Sequence, residues 1–142
     1  MIAIGCDHGG YVLKEKVKKH LEERGIAYKD FGCHSTESCD YPDISRATAK
    51  CVASGECEKG IVICTTGIGI GIVANKVPGI RCALCSDALS AKMTRLHNDA
   101  NMLSLGAGII GENLAMVIVD TFLDTEFSND ERHVRRISMI EG

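Results

Sequence analysis

The stretch that decides the fold of this 142-residue chain is Gly60-Ile61-Val62-Ile63-Cys64-Thr65-Thr66-Gly67-Ile68-Gly69-Ile70-Gly71. Its apolar run over 61–64 predicts a strand that is covered on both faces. The alternating glycines that follow allow a tight turn in which backbone amides approach a bound group. A helix that begins after this turn directs its free amides and its dipole at an anion.

Cys64 stands at the point where this predicted strand ends. A helix start close to a thiol favours the thiolate, so Cys64 is the candidate reactive atom. The alternative is a buried structural cysteine beside a tight turn, which is the ordinary role of a cysteine taken at random. The position at a glycine-rich strand-to-helix junction favours chemistry.

Strands and helices alternate along the rest of the chain. Strands are predicted at 2–5, 26–31, 60–64, 80–85 and 102–105. Helices are predicted at 11–24, 43–54, through 74–76, from the Ser86-Asp87 cap to 97, at 111–123 and at 129–141. This alternation predicts one α/β domain over 1–142, a three-layer Rossmann-like fold with a five-stranded parallel sheet and helices on both faces. Because ligands bind at the carboxyl ends of such strands, Asp7-His8 after the first strand is expected near Cys64.

Composition narrows the classes of partner. The chain has 16 basic and 19 acidic residues, a net charge of −3, and no basic block, so neither a nucleic acid nor a membrane surface is an expected partner. Aromatic residues make up 4% of the chain, which predicts an aliphatic core. The chain has eight cysteines, but Met1 is followed at once by a predicted strand, with no room for a signal peptide. We therefore expect a cytoplasmic protein with reduced thiols.

Nucleotide binding is the lesser hypothesis. The loop Gly5-Cys6-Asp7-His8-Gly9-Gly10, with Asp30 after the second strand, invites a dinucleotide-binding interpretation. Its glycine spacing does not fit the G-x-G-x-x-G pattern. The loop after Cys64 does not fit either, and neither loop has the lysine of a phosphate-binding loop.

Three further groups of polar residues could carry chemistry. Asp7-His8 is either an acid/base pair or a capping aspartate beside an exposed histidine. His97-Asn98 is either a titratable imidazole beside an amide donor or a helix C-cap. Arg132 and Arg136 are four apart on one helix face, which suits a phosphate clamp or a solvated basic face. The lysines of the first helix are assigned to a solvated face: Lys14, Lys16, Lys18 and Lys19.

Six segments, taken together and in order, resemble a known family. They are Gly5-Cys6-Asp7-His8, Asp40-Tyr41-Pro42, Cys64-Thr65-Thr66-Gly67-Ile68-Gly69-Ile70, Ala74-Asn75-Lys76-Val77-Pro78-Gly79-Ile80-Arg81, His97-Asn98-Asp99-Ala100-Asn101 and Arg132-His133. The chain resembles the ribose-5-phosphate isomerase B family, which also holds galactose-6-phosphate and allose-6-phosphate isomerases. The resemblance runs essentially from end to end.

The resemblance implies an aldose–ketose isomerase of the pentose phosphate pathway that interconverts D-ribose 5-phosphate and D-ribulose 5-phosphate. The reaction passes through a cis-enediolate and needs neither metal nor cofactor. The resemblance makes Cys64 the base, His97 the residue that helps to open the sugar ring, and Thr66 a third catalytic residue. Asn98 and the glycine-loop amides steady the oxyanion. The implied substrate-binding residues are Asp7, His8, Tyr41, Thr65, Gly67, Ile68, Gly69, Asn98, Arg132 and Arg136.

The resemblance also implies an assembly. The site is shared across a two-fold interface of a homodimer or tetramer, and the C-terminal helix at about 129–141 packs on the partner.

This sequence departs from the family pattern where Thr65, Gly71 and Gly108 replace the usual glycine, serine and arginine. The departures keep two alternatives open: an isomerase of allose or galactose 6-phosphate, and a non-catalytic sugar-phosphate-binding relative. A thiol redox or metal protein is a third alternative, which rests on the cysteine count alone.

Overall fold

Five strands and six α-helices alternate in the computed structural model, which describes residues 1–142. The strands are β1 (Ile2–Cys6), β2 (Tyr28–Asp30), β3 (Lys59–Cys64), β4 (Cys82–Leu84) and β5 (Met102–Gly106). The helices are α1 (Tyr11–Glu23), α2 (Tyr41–Ala53), α3 (Ile68–Asn75), α4 (Ala88–Asn98), α5 (Glu112–Asp124) and α6 (Glu131–Glu141). A short 3₁₀ turn at His8–Gly10 precedes α1.

The five strands form one parallel sheet in the order β2-β1-β3-β5-β4. The central strand β3 pairs with β1 on one side and with β5 on the other, and Cys64 is opposite Gly106. The carboxyl ends of β1, β3 and β5 therefore lie side by side at one edge of the sheet, here called the carboxyl edge. The opposite edge is the amino edge. The strand order reverses between β1 and β3, which is where ligands bind in sheets of this kind.

Helices cover both faces of the sheet, as the sequence predicts. Alternate residues of β3 divide between two apolar clusters. Ile61 and Ile63 pack against the cluster under α1, α4 and α5, whereas Val62 and Cys64 pack against the cluster under α2 and α3. Phe122 is the one aromatic side chain among the buried apolar residues, so the predicted aliphatic core is confirmed.

Lys14 corrects the sequence-based assignment of the α1 lysines to a solvated face. Its side chain is 0% exposed, and its Nζ donates to both carboxylate oxygens of Asp30 at 2.7 and 2.8 Å and to the Cys33 carbonyl at 2.6 Å. Burial opposes ionisation of Asp30, but hydrogen bonds from Lys14 and the Gly32 amide outweigh it and lower the pKa of this carboxyl. The pair thus ties α1 to β2 and to the loop after it.

Candidate active site

Cys64, the last residue of β3, lies at the carboxyl edge and is 6% exposed. The backbone amide of Gly67 donates to its Sγ at 3.1 Å. A backbone N–H therefore points at the sulfur, as it would point at a bound anion. The sulfur stands at the strand-to-helix junction that the sequence pattern predicts.

The turn after Cys64 is built around Gly67, whose φ of 76° is left-handed. A Cβ at this position would lie 2.6 Å from Leu84 Cδ1 and 2.8 Å from the Leu105 carbonyl carbon, so the turn requires glycine. Thr66 Oγ1 accepts a hydrogen bond from the Ile68 amide at 3.2 Å, at the start of α3. The hydroxyl proton of Thr66 remains available for a ligand, as do first-turn amides of α3 that have no partner inside the helix.

Asp7 and His8 reach the same edge from the end of β1. Asp7 is 7% exposed, and its Oδ1 accepts from the Gly10 amide at 3.1 Å, so it caps the 3₁₀ turn. His8 Nδ1 accepts from the Cys39 amide at 3.2 Å. This bond puts the proton of a neutral His8 imidazole on Nε2. Both residues line a pocket of about 560 Å³ with Ser38, Cys39, Asp40, Tyr41, Pro42 and Asp43.

Tyr41 joins this pocket to the glycine turn. A Cβ at Gly69 would lie 2.7 Å from the Tyr41 hydroxyl oxygen, so the phenol rests directly on the first turn of α3. The carboxyl edge thus collects nine of the predicted residues: Asp7, His8, Tyr41, Cys64, Thr65, Thr66, Gly67, Ile68 and Gly69.

His97 and Asn98 lie at the other edge of the sheet. They occupy the last turn of α4, immediately before the chain enters β5 at Met102, which pairs with Gly60 near the start of β3. From Gly60 to Cys64 the strand spans roughly 13 Å at about 3.3 Å per residue. A single chain therefore does not bring His97 or Asn98 to the reactive sulfur.

Arg132 and Arg136 join His97 at the amino edge. Both are exposed on α6. The His133 ring centroid lies 4.4 Å from that of His97, which holds α6 against the end of α4. The predicted phosphate clamp and the predicted ring-opening residue therefore form one group, here called the amino-edge group: His97, Asn98, Arg132 and Arg136.

His133 is a buried residue of this neighbourhood that is not among the predicted site residues. It is 8% exposed, and its Nδ1 lies 2.8 Å from Ser128 Oγ. Burial, and next the adjacent imidazole of His97, lower the pKa of His133. The only signal in the sequence is its place beside Arg132 in the last of the six segments.

Cys82 and Cys85 lie on β4 and immediately after it. Burial raises the pKa of Cys85 to about 11 and that of Cys82 to about 12. All eight cysteines are free thiols, and no group of three or more His, Cys, Asp or Glu side chains is arranged to hold a metal ion. None of the helices has the length and apolar character needed to cross a membrane.

A family model described as Ribose/Galactose Isomerase matches residues 2–140 of the chain. The chain belongs to the ribose/galactose isomerase family. It is 45% identical to ribose-5-phosphate isomerase B of Escherichia coli strain K12, over 98% of this chain and 93% of that protein. It is 42% identical to D-erythrulose-4-phosphate isomerase of Pectobacterium atrosepticum, over 89% and 84% of the two chains.

The solved structure of ribose-5-phosphate isomerase B from Clostridium thermocellum is similar over the whole fold. The TM-score is 0.97 at 53% identity, covering 99% of this chain and 94% of that one. The three-layer α/β fold predicted for this isomerase is thereby confirmed. Its class, an isomerase, follows from membership of the family.

Gly71, one departure from the usual family pattern, has a local explanation. A Cβ at Gly71 would lie 3.2 Å from both Cβ and Oγ of Ser104. The Ser104 hydroxyl donates to the Gly67 carbonyl and helps to hold the turn. A larger residue at 71 would therefore press on the side chain that supports Gly67.

Proposed function

We propose that this isomerase interconverts D-ribose 5-phosphate and D-ribulose 5-phosphate, with Cys64 as the base. One observation carries the proposal: the Cys64 sulfur, under the Gly67 amide, lies at the edge that also carries the polar pocket of Asp7, His8 and Tyr41. The names of the Escherichia coli and Clostridium thermocellum relatives support the pentose phosphate as substrate.

In the proposed reaction the thiolate of Cys64 removes the proton from C2 of the open-chain aldose. The electrons of that C–H bond form the C1–C2 double bond, and the carbonyl electrons move to O1, which gives a cis-enediolate. The proton then returns to C1, O2 becomes the carbonyl oxygen, and its proton is transferred to O1. No electron leaves the substrate, so the step needs no redox cofactor.

The remaining groups stabilise charge and hold the substrate. Backbone amides of the turn at Gly67–Gly69 and the side-chain amide of Asn98 face the developing oxyanion. Thr66 donates its free hydroxyl proton to a substrate oxygen. His97 moves the proton that opens the furanose ring. Arg132 and Arg136 bind the phosphate through charge-assisted hydrogen bonds, and Asp7 and His8 bind sugar hydroxyls.

We infer that the active unit is a homodimer in which a second copy supplies the amino-edge group to Cys64. The two halves of the site lie at opposite edges of one chain, so one chain alone leaves each half incomplete. Apolar side chains with 38–63% exposure lie on α3, β4 and α4, on the flank of the sheet that ends at β4: Ile68, Ile72, Leu84, Leu89 and Met93. A surface of this kind suits a self-complementary interface, and α6 would pack on the partner.

Replacing the sulfur tests the proposed base. Cys64→Ala is expected to lower kcat for ribose 5-phosphate by about 10²- to 10⁴-fold, the usual contribution of a general base. Substrate binding and the circular dichroism spectrum should be retained, because the sulfur fills little of the core. Cys82→Ala is the matched control, since Cys82 is a half-buried thiol away from the carboxyl edge. Turnover near the wild-type rate in Cys64→Ala would refute the mechanism.

The same kinetic assay identifies the preferred sugar phosphate. Allose 6-phosphate and galactose 6-phosphate are run beside ribose 5-phosphate, and the pentose phosphate is expected to have the highest kcat/KM. Exchange of the C2 hydrogen with deuterated water reports the enediolate directly. A protein that binds ribose 5-phosphate without this exchange would be a non-catalytic relative.

A further inference from the structure

Arg81, the residue before β4, lies against the end of α4, the helix that carries two residues of the amino-edge group. Its Nε donates to the carbonyl of Asn98, and its Nη2 donates to the carbonyl of Asp99, both at 2.8 Å. The last carbonyls of a helix have no partner inside that helix, so the guanidinium closes the end of α4. The planar fork of an arginine suits two neighbouring acceptors of this kind.

The main chain of Arg81 is tied to the segment that follows α4. Its amide donates to Asn101 Oδ1 at 2.8 Å, and its carbonyl accepts from the Asn101 amide at 3.0 Å. Asn101 Nδ2 in turn donates to the Gly79 carbonyl at 2.8 Å. The guanidinium therefore extends from an anchored main chain, and it fixes the end of α4 relative to the sheet.

Asn98 depends on this contact because nothing else holds its side chain. Asn98 is exposed, its side-chain amide makes no hydrogen bond within the chain, and Arg81 is the one side chain bonded to its backbone. Arg95 Nη1 binds the next two residues, Asp99 at Oδ1 and Ala100 at the carbonyl, at 2.8 and 2.7 Å. The position of the Asn98 amide therefore follows from its main chain, which Arg81 holds.

Arg81 makes a second kind of contact, with α6. Its Nη1 lies 2.6 Å from Glu141 Oε1, and the two side chains are 19% and 37% exposed. All three guanidinium nitrogens thus have a partner within the chain. Because the ion pair uses a nitrogen that binds neither carbonyl, the two contacts can be removed separately.

We propose that Arg81 is a positioning residue that sets the place of the Asn98 amide in the isomerase reaction. It rests on the proposed function, in which this amide faces the developing oxyanion, and it adds a residue that acts through Asn98. A hydrogen bond to the oxyanion strengthens as charge develops, so a displaced amide raises the barrier more than it weakens substrate binding. A misplacement of about 1 Å costs up to about 10²-fold in rate.

The test measures kcat and KM from D-ribulose 5-phosphate. The C5 hydroxyl of this ketose carries the phosphate, so no five-membered ring forms and the ring opening assigned to His97 is not needed. Arg81→Ala is expected to lower kcat about 10- to 100-fold and to leave KM within about threefold. Arg81→Lys keeps a charge for Glu141 but lacks the fork, so it should lose nearly as much. Glu141→Gln is the matched control: it removes the ion pair, leaves both carbonyl bonds, and should keep kcat within about twofold.

A double-mutant cycle tests the coupling to Asn98. In the Asn98→Ala background, Arg81→Ala should lower kcat less than about threefold, because there is no amide left to position. In the Asp7→Asn background, at the carboxyl edge, it should lower kcat as much as in the wild type. A purely structural role would lower kcat by the same factor in all three backgrounds. Circular dichroism and thermal unfolding check the fold of each variant, and Arg81→Lys replaces Arg81→Ala in the cycle if the alanine variant does not fold.

The outcomes separate the role of Arg81 from the function on which it rests. Turnover by the wild type, together with a kcat of Arg81→Ala within about twofold, overturns the positioning role and leaves the isomerase intact. Equal losses in the three backgrounds, full activity in Arg81→Lys, or a loss in Glu141→Gln as large as in Arg81→Ala also overturn it. Absence of turnover by the wild type with every sugar phosphate overturns both proposals.

Discussion

The buried ion pair of Lys14 and Asp30 is a residue-scale feature on which stability depends. Lys14 is 0% exposed, so removal of Asp30 leaves its buried ammonium with Glu15, 3.8 Å away, as its remaining charged neighbour, whereas Asp30 is also paired with Lys18 at 3.0 Å. Removing the partner of a buried charge costs about 3–5 kcal/mol because that charge stays behind in the interior.

Asp30→Asn is therefore expected to lower the free energy of unfolding by about 3–5 kcal/mol, measured by urea denaturation. The matched control is Glu112→Gln, which breaks the ion pair with Lys16, whose two side chains are 46% and 51% exposed. Exposed pairs contribute less than about 1 kcal/mol, so the control should unfold almost as the wild type does. Equal losses in the two variants would contradict the importance of burial.

Individual residues were predictable from the sequence to different degrees. Cys64 was predictable because an apolar run, a cysteine and alternating glycines are a local pattern. The burial of Lys14 was missed because its partner Asp30 is sixteen residues away in the sequence. A weak signal existed: Lys14 is three residues before Val17 and seven before Leu21, on the buried face of α1.

At the scale of elements, α6 depends on a buried histidine for its contact with α4. The lowered pKa of His133 means that the folded state favours the neutral imidazole more than the unfolded state does. The stabilisation that His133 gives to the folded state is therefore complete above about pH 6.5, the unperturbed pKa of histidine. It is lost as the pH falls through the lower pKa that His133 has in the folded state.

Hydrogen exchange should show this loss in α6 alone. Between pH 7.5 and pH 5, after correction for intrinsic exchange rates, protection of residues 131–141 should fall while that of α1 stays constant. His133→Gln removes the titrating group and should make the protection of α6 independent of pH. A pH-dependent loss that persists in this variant would assign the effect to another group.

The elements themselves were largely predictable, since glycine and proline mark their ends. The two strands that proved shorter than predicted are those at the sides of the sheet, β2 and β4. Each has a single neighbouring strand, β1 or β5, and pairs with it over three residues. A strand at the side of the sheet extends only as far as it pairs with its one neighbour, and local sequence does not specify that pairing.

At the scale of the whole molecule, the proposed shared site predicts complementation between two defective chains. Cys64→Ala damages the carboxyl edge and His97→Ala damages the amino-edge group. In a mixed dimer both defects fall in one site, and the other site is intact. An equal mixture, after exchange of subunits, should therefore regain about one quarter of wild-type activity.

The control for this experiment is a mixture of Cys64→Ala with Cys64→Ser, in which every site keeps a defective carboxyl edge. Size-exclusion chromatography of the same mixtures reports the dimer. Mixtures that form dimers without regaining activity would show that each site is built from one chain.

The separation of the amino-edge group from Cys64 follows from connectivity. A helix that joins parallel strands returns the chain to the amino edge, so residues just before β5, such as His97, lie far from the end of β3. The order of elements in the sequence already implies this separation. The proposed pairing of two chains was not predictable from spacing, because residues that meet across an interface between chains have no fixed separation along one chain.

Because His97 and Cys64 lie at opposite edges, the activity of the proposed enzyme also depends on its own concentration. If catalysis needs two protomers, the concentration of active sites follows the law of mass action for association and falls faster than the protein concentration on dilution. Specific activity then depends on the protein concentration as well as on the amino-acid sequence. Apolar contacts at the interface would set the threshold at which the protein begins to act as a catalyst.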